Sequence, residues 1–483
     1  MPRTHTIFGN PVSAKVINKA EKQKQKYLRK FGDDSGNEYG LTLQPDPILT
    51  PAFDTMMVEA GNAPRPIESG KALLIGNIRM GYGHYRIAMA IASAAKHFGY
   101  IPYWFDMSSF EQTTGTKVIT HLNKLYSLGS RLSQKSSLFN RFYWDPLNSK
   151  GFLKLEYNAI DQKVAELMTP IFKTIPTDIP FIGTHTWTAQ AAVHAGMNRV
   201  INVIPDNWPM GLHLSEGSIH TVQTPSSYFG YKTLKGMAEG ELTPMPEKSV
   251  YNVGHYIDHE LLQDLEGDTQ KRLDRIANNK PKRLLLTVGG AGAQYELYRD
   301  IVLGYKDQID AGELVIYINV GDHKSAFGKL RKDLQPIKDI TLYENDWQKI
   351  STFAESAITN SSISGVHIFC QENLFAAVYA TNLLMRSSDI LITKPSELAF
   401  YPVPKLMIKR VGGHEAWGAI RAAEVGDGTS ECVTTPEIHR MLKLMLNEPE
   451  LLTEMNHNIL KAQQAGIYDG AYNTVKLAVA EQK

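Results

Sequence analysis

A chain of 483 residues, 43% hydrophobic and 21% charged, has ordinary globular composition and room for about two to three domains. Its formal charge of +1 supplies no global field for nucleic acid, and two cysteines, Cys370 and Cys432, cannot make a disulfide framework or a zinc site unaided. No apolar run approaches the roughly 18 residues of a membrane span, and the opening MPRTHTIFGNPV lacks a signal peptide's apolar core. The expectation is a cytoplasmic chain whose contact with any membrane is peripheral.

Residues 1–70 read as an N-terminal extension. AEKQKQKYLRK is a short basic helix candidate, and the stretch from Gly32 to Gly70 is rich in turn formers. From Lys71 the pattern changes. LLIGNI is a buried strand, a turn with Gly81, Gly83 and His84 follows, and an alanine-rich helix runs on to Phe98. Tyr85 and Arg86 stand directly after His84, so the turn lacks the spacing of a dinucleotide fingerprint. IPYWFDM is a second strand.

Between Lys117 and Lys154 seven basic residues face a single acid, Asp145, with leucines and aromatics interleaved. That composition suits an anionic membrane surface; a helical pair with a solvated basic face is the alternative. Nucleic acid is not expected as a partner, because no reader motif accompanies the charge. PFIGTHT, RVINVIP and IHTVQTP are further short strands. His185 and Asp206 follow two of them and reach the same sheet edge, as orienting residues or as caps.

A second block opens near Pro281. RLLLTVGGAGAQYELYRDIVLGY reads as strand, glycine turn (Gly289, Gly290, Gly292) and helix, and ELVIYINVGD, DILITKP and PKLMIKRVGG are strands. Strands alternating with helices predict an α/β chain of two doubly wound, Rossmann-like domains facing a cleft. The expected divisions are the extension 1–70, a first Rossmann-like domain 71–255, a second 256–455, and C-terminal helices 456–483.

Five segments in collinear order resemble the GT-B glycosyltransferases, in particular the galactolipid synthases, processive diacylglycerol glucosyltransferases and lipid I GlcNAc transferases. They are Gly81-Tyr82-Gly83-His84, Gly289-Gly290-Ala291-Gly292, Asn319-Val320-Gly321-Asp322, Ser396-Glu397-Leu398-Ala399 and Gly413-His414-Glu415. The resemblance implies a metal-independent, inverting sugar transfer from a nucleotide-sugar, UDP-linked by likeness, to an acceptor hydroxyl such as a lipid's. No cofactor is implied, since the nucleotide-sugar is a substrate. His84 would be the base, with Gly81, Gly83, His185 and Asp206 on the acceptor side. Gly289, Gly290, Gly292, Lys394, Ser396, Glu397, His414 and Glu415 would hold the donor, Glu397 at its ribose.

Three features depart from the family pattern, one of them Gly418, which stands where the family has an asparagine or glutamine. Lys394-Pro395 runs straight into Ser396, without the family's second glycine-rich phosphate segment, and Thr341–Gly365 has no counterpart. A non-catalytic nucleotide-sugar binder and a UDP-sugar 2-epimerase therefore remain as alternative readings.

Overall fold

The computed structural model describes residues 5–61, 67, 70–135, 151–289, 294–410 and 412–480. The chain forms two compact units, one of residues 1–80, 87–256 and 470–483, the other of 81–86 and 257–469.

The first unit opens with a two-residue hairpin, β1 (Thr6–Ile7) and β2 (Asn10–Pro11), and a long helix, α1 (Ala14–Phe31). Its main sheet has eight strands: β3 (Leu41–Pro45), β4 (Met56–Ala60), β5 (Ala72–Asn77), β6 (Ile101–Asp106), β7 (Phe181–Gly183), β8 (Val200–Val203), β9 (Ile219–Val222) and β10 (Val250–Asn252). Their order is β10-β9-β8-β7-β5-β6-β4-β3, parallel throughout except where β3 meets β4. Helices α2 (Gly83–His97), α3 (Thr114–Lys135), α4 (Leu155–Ala165) and α5 (Thr186–His194) connect these strands.

A parallel sheet covered on both faces needs strands that are apolar on both sides. Every residue of β5 is accordingly buried, and Ala88, Ala90, Ala92, Ala94 and Ala95 of α2 are fully buried. Small side chains let the α2 backbone come close to its neighbours.

Residues 1–70 are not an appendage, which corrects the expectation. β3 and β4 form one edge of the main sheet, and α1 packs along α4. Nor do the C-terminal helices stand apart: the helix Pro449–Gln464 belongs to the second unit, whereas Gly470–Val479 belongs to the first.

The second unit carries a six-stranded, wholly parallel sheet in the order β13-β14-β12-β11-β15-β16. Its strands are β11 (Lys282–Thr287), β12 (Leu314–Asn319), β13 (Ile340–Glu344), β14 (Val366–Cys370), β15 (Ile390–Thr393) and β16 (Lys405–Met407). Helix α6 (Tyr295–Gly304) lies between β11 and β12 in the chain, α7 (Leu374–Met385) joins β14 to β15, and α8 (Ala416–Val425) comes after β16. The unassigned stretch Thr341–Gly365 supplies most of β13 and the helix Trp347–Thr359, an added strand-helix repeat that ends at the sheet edge.

Each sheet has one reversal of winding from which neighbouring connections diverge. In the first, β5 is flanked by β6 on one side and β7 on the other; in the second, β11 is flanked by β12 and β15. At such a reversal the connections leave in opposite directions and open a crevice at the carboxyl ends of the strands.

Two buried acids give the fold a pH signature. Asp161 on α4 is buried, and desolvation pushes its carboxyl up to about 7. Asp258 is likewise buried and raised to about 7, by desolvation first and the Glu260 charge second. Each folded value lies above the unfolded value of about 3.9. The folded state therefore keeps protons that the unfolded state releases; their stabilising effect is full below about pH 4 and is lost as pH rises through about 7. Asp161→Asn, close in shape to the protonated acid, should flatten the fall in melting temperature between roughly pH 5 and pH 8. Thermal denaturation across that range checks this, and parallel pH profiles for the two proteins would refute it.

Candidate functional site

Lys394 and Ser396, two of the polar residues that the sequence singles out, follow β15 where it adjoins β11, and Glu415 reaches Lys394 from the loop after β16. Strands β11 and β15 run in register from Leu284↔Ile390 to Leu286↔Ile392, and just beyond, the Thr287 hydroxyl donates to that of Thr393 at 3.2 Å. Past that clasp the chains part. Val288-Gly289 leaves from one strand and Lys394-Pro395-Ser396 from the other.

The Gly289 backbone lies close to the Lys394 side chain. A Cβ there would lie 3.2 Å from the Lys394 Cε, so a larger residue would push the lysine aside. The Lys394 ammonium forms an ion pair with Glu415, whose other carboxylate oxygen accepts from the Gly412 amide at 3.1 Å. Gly413–Glu415 is a single 3₁₀ turn, and His414 lies half-buried against Gly412.

Ser396 and Glu397 follow directly. The Ser396 amide donates to the Lys394 carbonyl at 2.8 Å, and Glu397–Phe400 forms one 3₁₀ turn. Gly418 occupies the place where the family resemblance anticipates an amide side chain. A Cβ at Gly418 would lie 2.9 Å from the Pro395 carbonyl oxygen, so glycine is what lets α8 lie against this short loop. Gly290 and Gly292 fall outside the described residues.

The turn Gly81–Arg86 clusters with the second unit, whereas on sequence alone Gly81 and Gly83 belong to the acceptor-side domain. Gly81 has a φ of +86°, which favours glycine. A Cβ on Gly83 would fall onto the Glu397 carboxylate. Glu397, expected at a ribose, is thus in contact with the glycine turn. His84, half-buried, begins α2 beside it. Tyr85 stacks on Phe375 with ring centroids 5.5 Å apart, and Arg86 bonds Asn382 and lies over the Tyr401 ring.

Two residues passed over in the sequence complete this edge. The Tyr82 hydroxyl donates to the Asp322 carboxylate and accepts from the Asp322 amide at 3.0 Å. This approach depends on Gly321, whose φ is +64° and whose Cβ would collide with the Tyr82 hydroxyl. His323 places Nε2 3.0 Å from the Gly289 carbonyl. A carbonyl can only accept, so Nε2 carries a proton there.

His185 and Asp206 lie in the first unit, beyond the ends of β7 and β8. His185 is the N-cap of α5, its Nδ1 accepting from the Trp187 amide at 3.2 Å. Asp206 stands 3.3 Å from His213 Nε2, and His213 Nδ1 meets the Tyr231 hydroxyl at 2.7 Å. That hydroxyl also accepts from the Met210 amide and donates to the Trp208 carbonyl, so the chain pins the loop after β8. His185 thus makes a capping contact and Asp206 a loop-pinning one.

The described part of the basic segment is α3 together with 151–154; residues 136–150, with Arg141, Asp145 and Lys150, lie outside the described residues. Among the described residues no helix is long and apolar enough to cross a membrane.

Residues 6–233 match a family model described as a domain of unknown function (DUF6937), and residues 245–479 match a second described in the same way (DUF6938). No curated protein matches the sequence. Solved structures with a loose likeness include a UDP-GlcNAc 2-epimerase from Neisseria meningitidis bound to UDP-GlcNAc, at 15% identity and a TM-score of 0.42, covering 84% of this chain and 97% of that one. A second is the MnaA–UDP structure from S. aureus, at 11% identity and a TM-score of 0.44, with coverages of 84% and 94%. A third is a UDP-GlcNAc 2-epimerase from Methanocaldococcus jannaschii with UDP-GlcNAc and UDP, at 13% identity and a TM-score of 0.38, with coverages of 82% and 99%.

Proposed function

We propose that the second unit binds a nucleotide-sugar, UDP-linked on the family resemblance, at the β11/β15 crevice. On that reading the chain is a metal-independent, inverting glycosyltransferase acting on an acceptor hydroxyl. One observation carries the binding step: Gly289 and Lys394 stand side by side where the sheet reverses, with Glu415 paired to Lys394 and Glu397 three residues further along the chain. An open glycine backbone and an ammonium are what a diphosphate needs, the first for close approach and the second for charge.

Each residue then has a chemical task. Lys394 exchanges Glu415 for the diphosphate and offsets the charge that grows as the nucleotide leaves. Glu397, released from the glycine turn, accepts from the ribose hydroxyls, while His414 and the freed Glu415 face the sugar. His84 takes the proton of the attacking hydroxyl, since an imidazole titrating near neutrality suits general-base work. The bond from the anomeric carbon to the diphosphate breaks as the new glycosidic bond forms.

A binding protein without turnover is favoured by a different observation: Lys394 and Glu397 both already have protein partners, and the loop between them is short. Turnover separates the two readings.

UDP at about 100 times its dissociation constant should stabilise the protein by about 2.7 kcal/mol, visible as a rise in melting temperature. GDP, ADP and TDP serve as comparisons, and Lys394→Ala should abolish the shift. No response to any of the four nucleotides would refute the binding proposal. Transferases leak sugar slowly to water, so the wild-type protein should release UDP from a UDP-sugar. His84→Ala should stop that release and keep the thermal shift; loss of both, or of neither, would remove His84 from the role of base. A wild-type shift without release would establish the binder.

A further inference from the structure

The helix α1 concentrates charge that the chain as a whole conceals. It contains seven basic residues and one acid, Glu21, in a protein whose formal charge is +1. Val16, Ala20 and Tyr27 are its buried stripe. Glu21 faces Lys163, and Lys24 pairs with Glu166 at 2.6 Å, so those charges are neutralised against the body. Lys15, Lys19, Lys22, Lys26, Arg29 and Lys30 are exposed, at spacings of three and four residues that put them on the solvent side.

The end of this helix meets α3. His121 packs edge-on to Phe31, with centroids 5.7 Å apart, and lies 3.2 Å from the Lys30 ammonium. Positions 125, 128 and 132 follow His121 at four, seven and eleven residues and so share its helix face. Those positions hold Leu125, Leu128 and Leu132, which are 51%, 49% and 43% exposed. They are three of the eight large apolar side chains exposed among the described residues, so the stripe is a cluster rather than scatter. Lys117 and Lys124 are exposed beside it.

We propose that the basic face of α1 and the leucine stripe of α3 together dock on an anionic lipid bilayer. The charge complements acidic headgroups, and the leucines give apolar side chains to bury below them, with lysine stems lying across the boundary. Nucleic acid fits less well. The face is almost all lysine, without the aromatic side chains that stack on bases, and leucines have no task against phosphates. The docking surface thereby extends beyond 117–154 to a helix that the sequence sets aside as part of an extension, and it stands independently of the nucleotide reading.

Flotation of the full chain with vesicles tests it. The protein should float with phosphatidylserine–phosphatidylcholine vesicles, stay behind with pure phosphatidylcholine, and detach as salt is raised. Each lysine near such a surface contributes about five-fold in partitioning, so Lys19→Gln, Lys22→Gln and Lys26→Gln together should weaken it on the order of 100-fold. Leu125→Ser with Leu128→Ser should also abolish flotation, while an unchanged melting temperature shows that the fold is intact. Failure to float with phosphatidylserine vesicles would overturn the proposal. So would equal binding to double-stranded DNA that the leucine substitutions leave unchanged, which would make the face a polyanion site.

Discussion

The reversal of winding at β11 is the constraint on which the candidate site depends. In a parallel sheet every strand ends at the same edge, so loops arrive there together, but most of them cross to a neighbour and close the edge over. Only where the connections diverge does the edge stay open. In the second unit that place lies between β11 and β15, and the Thr287–Thr393 bond marks the last point at which the strands are held together. The residues after it, Gly289 on one side and Lys394 to Glu397 on the other, owe their proximity to topology, since more than 100 positions separate them along the chain.

Glycine does a second kind of work at this edge, by leaving space. Gly83, Gly321 and Gly418 each stand where a Cβ would strike another group: the Glu397 carboxylate, the Tyr82 hydroxyl and the Pro395 carbonyl. Two of these approaches hold the turn Gly81–Arg86 on the second unit, and the Tyr85–Phe375 stack and the Arg86–Asn382 bond add to it. The tight turn after β5 is therefore shaped by what it lies against as much as by its own backbone. Only Gly321, with its positive φ, combines both demands.

What the sequence reveals depends on how local the responsible physics is. Apolar runs such as LLIG and LLLT announce buried parallel strands, because burial on both faces shows in every residue. The alanine-rich run after Gly83 announces close helix packing for the same reason. Lys394, Glu397 and Glu415 are legible as polar residues after strands, and two of them, Lys394 and Glu415, meet as an ion pair. Tyr82 and His323 are not legible, since their partners Asp322 and Gly289 lie far off or take part only through the backbone. His185 carries the ambiguity of every polar residue at a strand-helix junction: the position that reaches a ligand is also the position that caps a helix, and here the cap is seen. The turn-rich stretch 32–70 hides β3 and β4 because both are only partly buried, β3 as the edge strand and β4 beside it.

A net charge near zero excludes long-range steering of the whole molecule, but it says nothing about how charge is arranged. Seven of the 51 basic residues sit on the eighteen positions of α1, and its one acid is turned toward the body, so the rest of the chain must be net acidic for the total to reach +1. Such segregation has a cost: like charges three and four residues apart on one helix repel, by a few tenths of a kcal/mol for each pair, and weaken it. α1 is held despite this by its packing along α4 and by the Lys24–Glu166 pair, which face away from the exposed cations. Screening shortens the reach of that face to about 8 Å at physiological salt. It therefore acts on a surface that the protein has already met, and the exposed leucines of α3 supply short-range attraction once contact is made.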